Sequence, residues 1–331
     1  MTNNPFLSTT FKKIWLKHFN NGKPSHGFKF ISDLTFIKQK YFPLYINTGK
    51  NHTNGISYRL TQPDLNTDFK KKVFLIYDVP TYFKTDINTH NPKLKLNCID
   101  QYNGVLTDVN EYESYDDFYM SKFKSKTRYN LNKKKKQLES GFNISYSFYD
   151  ENTTEDEYGF LSLHLKELIT KRFNSRKENN QVVSEWNYYQ ELMYPMLKEK
   201  RAVIITVNHD NIPIGMTFNF LSENVLFYAI TTFDTDFLDY NIGHTTIMEV
   251  FKWSFDNGIN IIDFSKGQTE YKSRWENKEY QFQNHILYDA SSIRATLLGK
   301  TISNYFKFKQ YLRDKNFNLL FSKLKFLLKS S

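Results

Sequence analysis

NIIDFSKGQTEYKSRW, residues 260–275, is the stretch that decides the fold of this 331-residue chain. The β-rich run through Ile261 and Ile262 predicts a short strand that carries Asp263. A turn is expected after it, at Gly267. The helical patch that follows carries Tyr271, Lys272, Arg274 and Trp275. The stretch therefore predicts a strand, a polar loop and a helix in direct succession, with polar side chains gathered at the end of the strand.

The segments before this stretch predict the sheet to which its strand belongs. Three short β-rich runs, separated by turn-forming residues, cover 202–207, 212–221 and 225–233. Such short connections are typical of an antiparallel meander. A helix follows from Gly243 to Gly258, with apolar residues on one face. Because a helical crossover of this length joins parallel neighbours, strand 259–264 is expected to lie parallel to strand 225–233.

A parallel pair inside an otherwise antiparallel sheet creates a gap where ladder hydrogen bonding fails and the strands splay. An extended, amide-bearing ligand such as pantetheine fits this gap by pairing with the freed backbone groups. The helix that opens at Gly243 points its free N–H groups at the mouth of the gap, where a pyrophosphate would be held. The candidate cofactor-binding residues are Ile242, Gly243, His244, Thr245 and Thr246. The alternatives are that Gly243 only starts the helix and that His244 only caps it.

Composition limits the classes of protein to which the chain can belong. Hydrophobic residues make up 40% of the chain and aromatic residues 17%, which is ample for the cores of two ordinary domains. The sequence has neither an apolar run of membrane-spanning length nor an apolar signal core, so the cytoplasm is the expected location. The single cysteine, Cys98, excludes an internal disulfide. The net charge of +10 favours a polyanionic partner, namely nucleic acid, a membrane surface or a phosphate-bearing cofactor or substrate.

A lysine-rich segment at 114–140 predicts one basic helix that stops at Gly141. Its cations suit a phosphorylated or acidic acceptor, such as a nucleotide-linked sugar, and Lys126 and Arg128 are the candidate substrate-binding residues. Arg128 lies among apolar positions, which favours a fixed bidentate contact. Residues 133–136, all lysines, are expected to form a solvated face.

The sequence pattern divides the chain into four contiguous segments. They are an N-terminal half at 1–110, a basic helical segment with connecting helices at 111–200, a C-terminal core with the cofactor site at 201–290, and a basic amphipathic helical tail at 291–331. The predicted strands of the first segment cover 28–31, 37–46, 56–60 and 73–77. The whole chain is expected to have an α/β (α+β) fold.

Three segments carry a resemblance to a known family. They are SKTRYNLNKKKKQLESG at 125–141, NIGHTTIMEVFKWSFDNGINIIDFSKG at 241–267 and EYKSRW at 270–275. Through them, residues 104–290 resemble the GNAT acyltransferases of the BioF/CelD-like branch, which are related to the Fem-type transferases. The resemblance implies a mixed, mainly antiparallel sheet with flanking helices, in two GNAT-like halves of which 1–110 is degenerate. It also implies an N-acyltransferase that moves an acyl group from acetyl-CoA or another acyl-CoA to an amine, such as a sugar or a cell-envelope or polysaccharide precursor.

The chain departs from the common GNAT phosphate loop, which has Gln or Arg, two residues, Gly, one residue, and then Gly or Ala. The matching places hold Tyr240, Gly243 and Thr245, so only the middle glycine fits. This difference from the phosphate-loop pattern weakens the prediction that the acyl donor is a CoA thioester, compared with other acyl donors.

Making an amide from a thioester needs a deprotonated amine, a donor for the tetrahedral oxyanion and an acid for the departing thiolate. Asp263 is the candidate base or amine-orienting group, and Tyr271 is the candidate acid. Lys272 is a candidate for neutralising a phosphate or the oxyanion. The alternatives are that Asp263 caps the turn before Gly267, that Tyr271 only packs, and that Lys272 is solvated.

Two other functions compete with acyl transfer from CoA. Fem-type transferases take aminoacyl groups from charged tRNA, which suits a chain of net charge +10 with a lysine-rich helix. A non-catalytic membrane-surface protein is the other reading, because aromatic and apolar residues alternate with lysines over 303–329. That tail can equally dock on its own domain. The histidines show no spacing that indicates a metal site, and no metal is expected.

Overall fold

The computed structural model describes residues 3–62, 64–83, 91–267 and 269–315. The chain forms two compact units, and each of them is assembled from two separate stretches of sequence. The first unit comprises Met1–Phe19 and Gly104–Glu279, and the second comprises Asn20–Asn103 and Tyr280–Ser331. This division differs from the four contiguous segments 1–110, 111–200, 201–290 and 291–331, because it closes each unit with a distant part of the chain.

Strands and helices alternate in the way that an α/β fold requires. The strands of the described residues are β1 (Ser25–Phe28), β2 (Ile31–Lys38), β3 (Leu44–Asn47), β4 (Val73–Pro80), β5 (Leu94–Asp108), β6 (Ile144–Tyr149), β7 (Ala202–His209), β8 (Ile212–Ser222), β9 (Val225–Phe233), β10 (Ile261–Lys266) and β11 (Lys278–Asp289). The α-helices are α1 (Thr9–Phe19), α2 (Tyr115–Lys122), α3 (Ser125–Gly141), α4 (Glu155–Arg176), α5 (Gln181–Ser184), α6 (Trp186–Lys198), α7 (Ile242–Asp256), α8 (Glu270–Trp275) and α9 (Ile293–Asp314). Two short 3₁₀ helices, Pro5–Leu7 and Thr235–Tyr240, complete the set.

The sheet of the first unit contains the predicted meander. Residues 104–108 of β5 lie beside β10, and the order continues β10-β9-β8-β7-β6. The pairs β6–β7, β7–β8 and β8–β9 are antiparallel, whereas β9 and β10 are parallel. The crossover through α7 therefore produces the parallel pair that the sequence predicts. The mainly antiparallel sheet with flanking helices is confirmed.

The core of the first unit is rich in aromatic side chains, and Trp275 lies at its centre. Trp275 is fully buried and contacts the rings of Phe123 and Phe251, with centroids 4.8 Å and 4.9 Å away. Phe118 of α2 stacks on Phe251 at 4.9 Å. Burial of aromatic rings of this size dominates core energetics. Trp275 therefore anchors α8, the short helix at the end of the deciding stretch, against α7.

The single helix predicted over 114–140 is wrong, because the chain breaks it into α2 and α3. Phe123 and Lys124 adopt extended backbone angles between the two helices. The break lets Phe123 bury its ring against Trp275, and the Arg128 guanidinium donates hydrogen bonds to the carbonyls of Met120 and Phe123 at the end of α2. A cation at a helix C-terminus stabilises the carbonyls left without helical partners.

The solvated face predicted for 133–136 is also wrong at one position. Lys135 Nζ lies 2.6 Å from Glu249 Oε1 of α7, and their side chains are only 13% and 6% exposed. The pair ties the lysine-rich helix to α7. The charge pattern of the helix alone does not predict this ion pair, because Glu249 is 114 residues away from Lys135 in the sequence.

In the second unit the strand order is β1-β2-β3-β4-β11. Its pairs are antiparallel except for β3 and β4, which are parallel. The predicted strand 37–46 is wrong, because residues 39–43 form the turn between β2 and β3. The predicted strand 56–60 is likewise wrong, since Leu60 makes only an isolated bridge with Ile31.

Helix α9 packs on the sheet of the second unit through a stripe of mostly small residues. The buried residues of this stripe are Ala295, Gly299, Ser303 and Phe306. A Cβ atom at position 299 would lie 2.7 Å from Cδ1 of Tyr288, so glycine is required for this close approach. The part of the predicted amphipathic tail 303–329 that follows residue 315 lies outside the described residues. Across the described part of the chain, no helix is both long and apolar enough to cross a membrane.

Candidate active site

The parallel strands β9 and β10 separate soon after they pair. Their ladder joins Val225 to Ile261, Leu226 to Ile262 and Phe227 to Asp263, and it goes no further. Both strands nevertheless continue, β9 to Phe233 and β10 to Lys266. Backbone groups beyond Phe227 thus face a gap instead of a neighbouring strand. This is the splayed pair that the sequence predicts.

Two bulges bend the strands apart where the ladder ends. In β9, Phe218 of β8 pairs with Ile230 and Asn219 pairs with Tyr228, so Ala229 is an extra residue. In β10, a register shift against β5 follows Asp263. A bulge bends its strand and increases the local twist. Together the bulges produce the gap.

Asp263 stabilises the second bulge. Its side chain is fully buried, and its Oδ1 accepts a hydrogen bond of 2.6 Å from the backbone N–H of Ser265. Ser265 has φ of 61°, in the left-handed region that a non-glycine residue adopts only with support. The carboxylate therefore holds the turn that separates β10 from β9, which corresponds to the turn-capping alternative for this residue.

Helix α7 begins beside the gap, and its first residues have different environments. Ile242, Thr245 and Thr246 are buried, whereas Gly243 and His244 are partly exposed. Thr246 Oγ1 donates to the Ile242 carbonyl at 2.9 Å, so this hydroxyl is used inside the helix. Asn241, which precedes the helix with φ of 54°, makes no side-chain hydrogen bond to the described first turn. The N–H groups of His244 and Thr245 donate to the Asn241 carbonyl at 2.8 Å and 3.2 Å, so the N–H groups of Ile242 and Gly243 are left for another acceptor.

Gly243 packs against Phe233 at the end of β9. A Cβ atom at position 243 would lie 3.0 Å from Cε1 and 3.2 Å from Cδ1 of the Phe233 ring. The glycine is therefore needed for close packing between the start of α7 and β9. Any larger residue here would move the ring or the helix start.

His244 is held neutral and in one tautomer. Burial, followed by the charge of Arg274, lowers the pKa of His244 to about 4. Trp275 Nε1 donates to His244 Nδ1 at 3.4 Å, which leaves the ring proton on Nε2. The neutral imidazole can therefore donate a hydrogen bond from Nε2.

Tyr271 belongs to a short chain of hydroxyl groups. Its hydroxyl lies 2.6 Å from that of Tyr228, which in turn donates to Thr231 Oγ1 at 2.9 Å. The His244 ring is also adjacent to Tyr271, with centroids 5.8 Å apart. Burial raises the pKa of Tyr271 well above its ordinary value, and the charge of Arg172 opposes that rise. Tyr271 is therefore a neutral phenol at physiological pH and can act as a proton donor.

Arg172, near the end of α4, brings a positive charge to these phenols. Its Nη1 donates to the Thr231 carbonyl at 3.1 Å, and its guanidinium lies over the Phe233 ring, 4.1 Å from the centroid. Its Nε is buried without a hydrogen-bond partner among the described residues. Burial, the largest influence, lowers the pKa of Arg172. Sequence reasoning missed this residue, since nothing local distinguishes it from other helix-terminal arginines.

Lys272 holds the loop that follows β10. Its Nζ donates to the carbonyls of Lys266 and Gly267 at 2.8 Å and 3.2 Å. Burial lowers the pKa of Lys272, and the nearby charge of Asp263 opposes this shift. The ammonium is thus neither solvated nor aimed at the gap, and it keeps the loop close to α8.

The two predicted substrate-binding residues of α3 have different surroundings. Lys126 is exposed in the first turn of the helix, where it is accessible to a ligand. Arg128 instead uses its guanidinium to bind the end of α2. The fixed contact predicted for Arg128 is therefore made to the protein's own backbone. No group of three or more potential metal ligands occurs in the described part of the chain.

Comparison with known proteins agrees with this geometry. Residues 125–273 match the family model described as acetyltransferase (GNAT) domain. No curated protein sequence matches the chain. Among solved structures, the chain is similar to FemX, with 11% identity, a TM-score of 0.60, and coverage of 91% of this chain and 95% of that one. It is also similar to a conserved protein of unknown function from Bacteroides thetaiotaomicron, with 10% identity, a TM-score of 0.53, and coverage of 86% and 92%.

The matched range contains the splayed pair, α7, Tyr271 and Arg172. Residues 125–273 of the chain therefore form a GNAT acetyltransferase domain, so the chain contains an acyltransferase domain.

Proposed function

We propose that the chain is an N-acyltransferase of the BioF/CelD-like branch that takes an acyl group from a CoA thioester and delivers it to an amine. The observation that carries this proposal is the opening of β9 and β10 beside the N-terminus of α7, with Tyr271 next to it. The gap accepts the amide-bearing pantetheine arm. The first turn of α7, from Ile242 to His244, accepts the pyrophosphate. These are the residues that fit a thioester donor.

The chemistry assigned to the site is aminolysis of a thioester. The amine nitrogen forms a bond to the carbonyl carbon, the carbon–sulfur bond breaks, and the thiolate takes a proton from the Tyr271 hydroxyl. Backbone N–H groups of β9 beyond Phe227 are placed to stabilise the oxyanion. Arg172 stabilises the phenolate that Tyr271 leaves behind, since its charge opposes the rise that burial causes in the pKa of this phenol.

Asp263 and Lys272 act in this proposal by positioning. Asp263 has no exposed surface, so its contribution is the turn at Ser265 that keeps β10 away from β9. Lys272 fixes the loop carbonyls that follow. Both residues therefore maintain the gap, and the acceptor amine loses its proton to solvent or to a group of its own.

The test is calorimetric titration of the protein with acetyl-CoA in about 0.2 M salt, which suppresses non-specific attraction between a basic protein and a polyphosphate. The diagnostic variant is Asn241→Asp, which adds a negative charge at the exposed position before α7 without a change in size. We expect acetyl-CoA binding to weaken about fivefold or more, because an acid stabilises a helix N-terminus but repels phosphate there.

The matched control is Asn257→Asp, the same substitution at the exposed C-cap of α7. This variant should bind acetyl-CoA as the wild type does. Equal weakening by both substitutions would mean that binding follows net charge and not the helix N-terminus. Absence of binding in a correctly folded wild type would reject CoA as the donor.

A charged tRNA is the second candidate donor. The net charge of +10 and the similarity to the FemX structure favour it. Under this function, the aminoacyl ester takes the place of the thioester in the gap, and added uncharged tRNA competes with the donor. Competition by tRNA together with an absence of acetyl-CoA binding would establish this alternative.

The acceptor class we propose is an amine on a sugar or on a cell-envelope or polysaccharide precursor. Lys126, exposed on α3, supplies a cation for a phosphorylated acceptor such as a nucleotide-linked sugar. Both donors are metabolites of the cytoplasm, which is therefore the location that we propose. The interpretation of residues 1–110 as a degenerate GNAT-like half remains part of this proposal.

A further inference from the structure

The guanidinium of Arg172 is a partly buried positive charge of the candidate site, and the nearby Glu178 carboxylate acts on it without forming an ion pair. Within the described residues Arg172 forms no ion pair, and its protein hydrogen bond goes to the neutral carbonyl of Thr231. Its Nε is buried and has no partner there. A buried cation normally has an anionic partner, because desolvation of an unpaired charge is costly. The missing partner is therefore expected to come from outside the chain.

The position of the guanidinium restricts what that partner is. It stacks over the Phe233 ring, its Nε is enclosed by protein atoms and its Nη1 binds Thr231, so Nη2, which has no hydrogen-bond partner among the described residues, is the donor open to a ligand. A charged guanidinium nitrogen binds a carboxylate or phosphate oxygen most strongly, because charge-assisted hydrogen bonds are shorter and stronger than neutral ones. Thr231 connects Arg172 to the two phenols: its carbonyl accepts from Arg172 Nη1, its Oγ1 accepts from the Tyr228 hydroxyl, and that hydroxyl lies 2.6 Å from the hydroxyl of Tyr271. The anion would thus lie beside Tyr271.

We propose that Arg172 is a specificity-determining residue that recognises a carboxylate or phosphate carried by one of the two reacting groups, close to its reacting atom. This inference rests on the proposed function, because that function places Tyr271 at the thioester sulfur. The pyrophosphate of CoA lies a pantetheine arm away from that sulfur, so it is not the anion. The acyl group or the acceptor amine carries it instead.

Nitrogen-15 labelling of arginine side chains tests the anion site without any need for a substrate. The chain has eight arginines, so the Nε–H spectrum is simple, and Arg172→Met identifies the Arg172 signal by its loss. Acetate and inorganic phosphate are the probes, and acetamide is the neutral control. We expect a saturable downfield shift of the Arg172 signal with the anions alone. A shift that is absent, or that matches the linear drift of the exposed Arg59, overturns the proposal.

Two thioesters then distinguish the sources of the anion. A shift of the Arg172 signal by succinyl-CoA but not by acetyl-CoA assigns the anion to the acyl group. If neither thioester shifts the signal and acetate still does so in the acetyl-CoA complex, the acceptor carries the anion. If acetyl-CoA alone shifts the signal and excludes acetate, Arg172 belongs to the CoA phosphates and the proposal is wrong.

The matched control for binding is Arg176→Met, which removes an exposed arginine one turn later on α4. Arg172→Met should weaken binding of the anionic ligand about 10- to 100-fold, the range for hydrogen bonds to a charged group. Arg176→Met should leave it unchanged. A saturable Arg172 shift in a protein that fails to bind acetyl-CoA keeps the anion site and rejects only the thioester donor, so the two proposals fail separately.

Discussion

Replacing Glu249 by glutamine should destabilise the first unit far more than removing its partner Lys135. The Glu249 carboxylate lies 2.6 Å from Lys135 and 3.1 Å from Lys252, and its side chain is 6% exposed. In Glu249→Gln, Lys135 keeps only Glu139 at 3.7 Å, whose side chain is 42% exposed and therefore screened. Removing one member of a buried pair costs about 3–5 kcal/mol. We expect a loss near the lower limit, about 3 kcal/mol.

Lys135→Met should cost less, about 1 kcal/mol, because Glu249 keeps Lys252 one turn away on its own helix. The double variant Lys135→Met/Glu249→Gln should recover most of the loss, since no unpaired charge remains buried. The coupling energy of the double-mutant cycle is then about 2 kcal/mol or more, well above the scatter for independent sites.

Urea unfolding followed by tryptophan fluorescence measures this loss selectively. The four tryptophans, Trp15, Trp186, Trp253 and Trp275, all belong to the first unit. The second unit is therefore silent in this signal and does not distort the transition. Equal losses for Glu249→Gln and Lys135→Met, or a loss below about 1 kcal/mol for Glu249→Gln, would refute the argument that this pair is buried and asymmetric.

Other residues give predictions of the same kind. His285 is 1% exposed and burial lowers its pKa from 6.5 to about 4, so the unfolded chain takes up the proton first and stability falls as pH falls below 6.5. The loss should reach about 2 kcal/mol by pH 5, and His285→Gln should remove it in urea unfolding followed by circular dichroism. Tyr271→Phe should lower kcat about 100-fold or more with donor affinity little changed, and a fall below threefold in steady-state assays would reject the acid role. Gly299→Ala should destabilise by about 1–3 kcal/mol in spite of its better helix propensity, because the new Cβ meets Tyr288; thermal melts showing a gain would contradict that packing.

Sequence reasoning succeeded where a feature depends on neighbours along the chain. The helix from Gly243, the strand of Asp263 and the parallel pairing follow from residue periodicity and from the length of one crossover. The same reasoning failed at the break between α2 and α3. That break depends on the contact of Phe123 with Trp275, which is distant in sequence, and local helix propensity gives no sign of it.

Only some of the side chains beside the gap could be predicted from the sequence, for the same reason. Tyr271 could be named because it follows the deciding strand. Tyr228 and Arg172 reach the same place from the middle of a strand and from the end of a helix, and only the folded structure brings them together. The roles of Asp263 and Arg128 also depend on backbone groups that the sequence pattern does not identify.

The distribution of charge in the folded chain shows why composition alone does not locate the binding site of an anion. The net charge of +10 directs attention to the lysine-rich helix α3, yet Lys135 there neutralises Glu249 and Arg128 binds carbonyls of its own chain. The cation that forms no ion pair with the described residues of the site is Arg172, on helix α4. Desolvation makes an unpaired buried charge much less favourable in free energy than a solvated charge. The burial and pairing of each cation, and not the number of cations, therefore indicate where an anionic ligand binds.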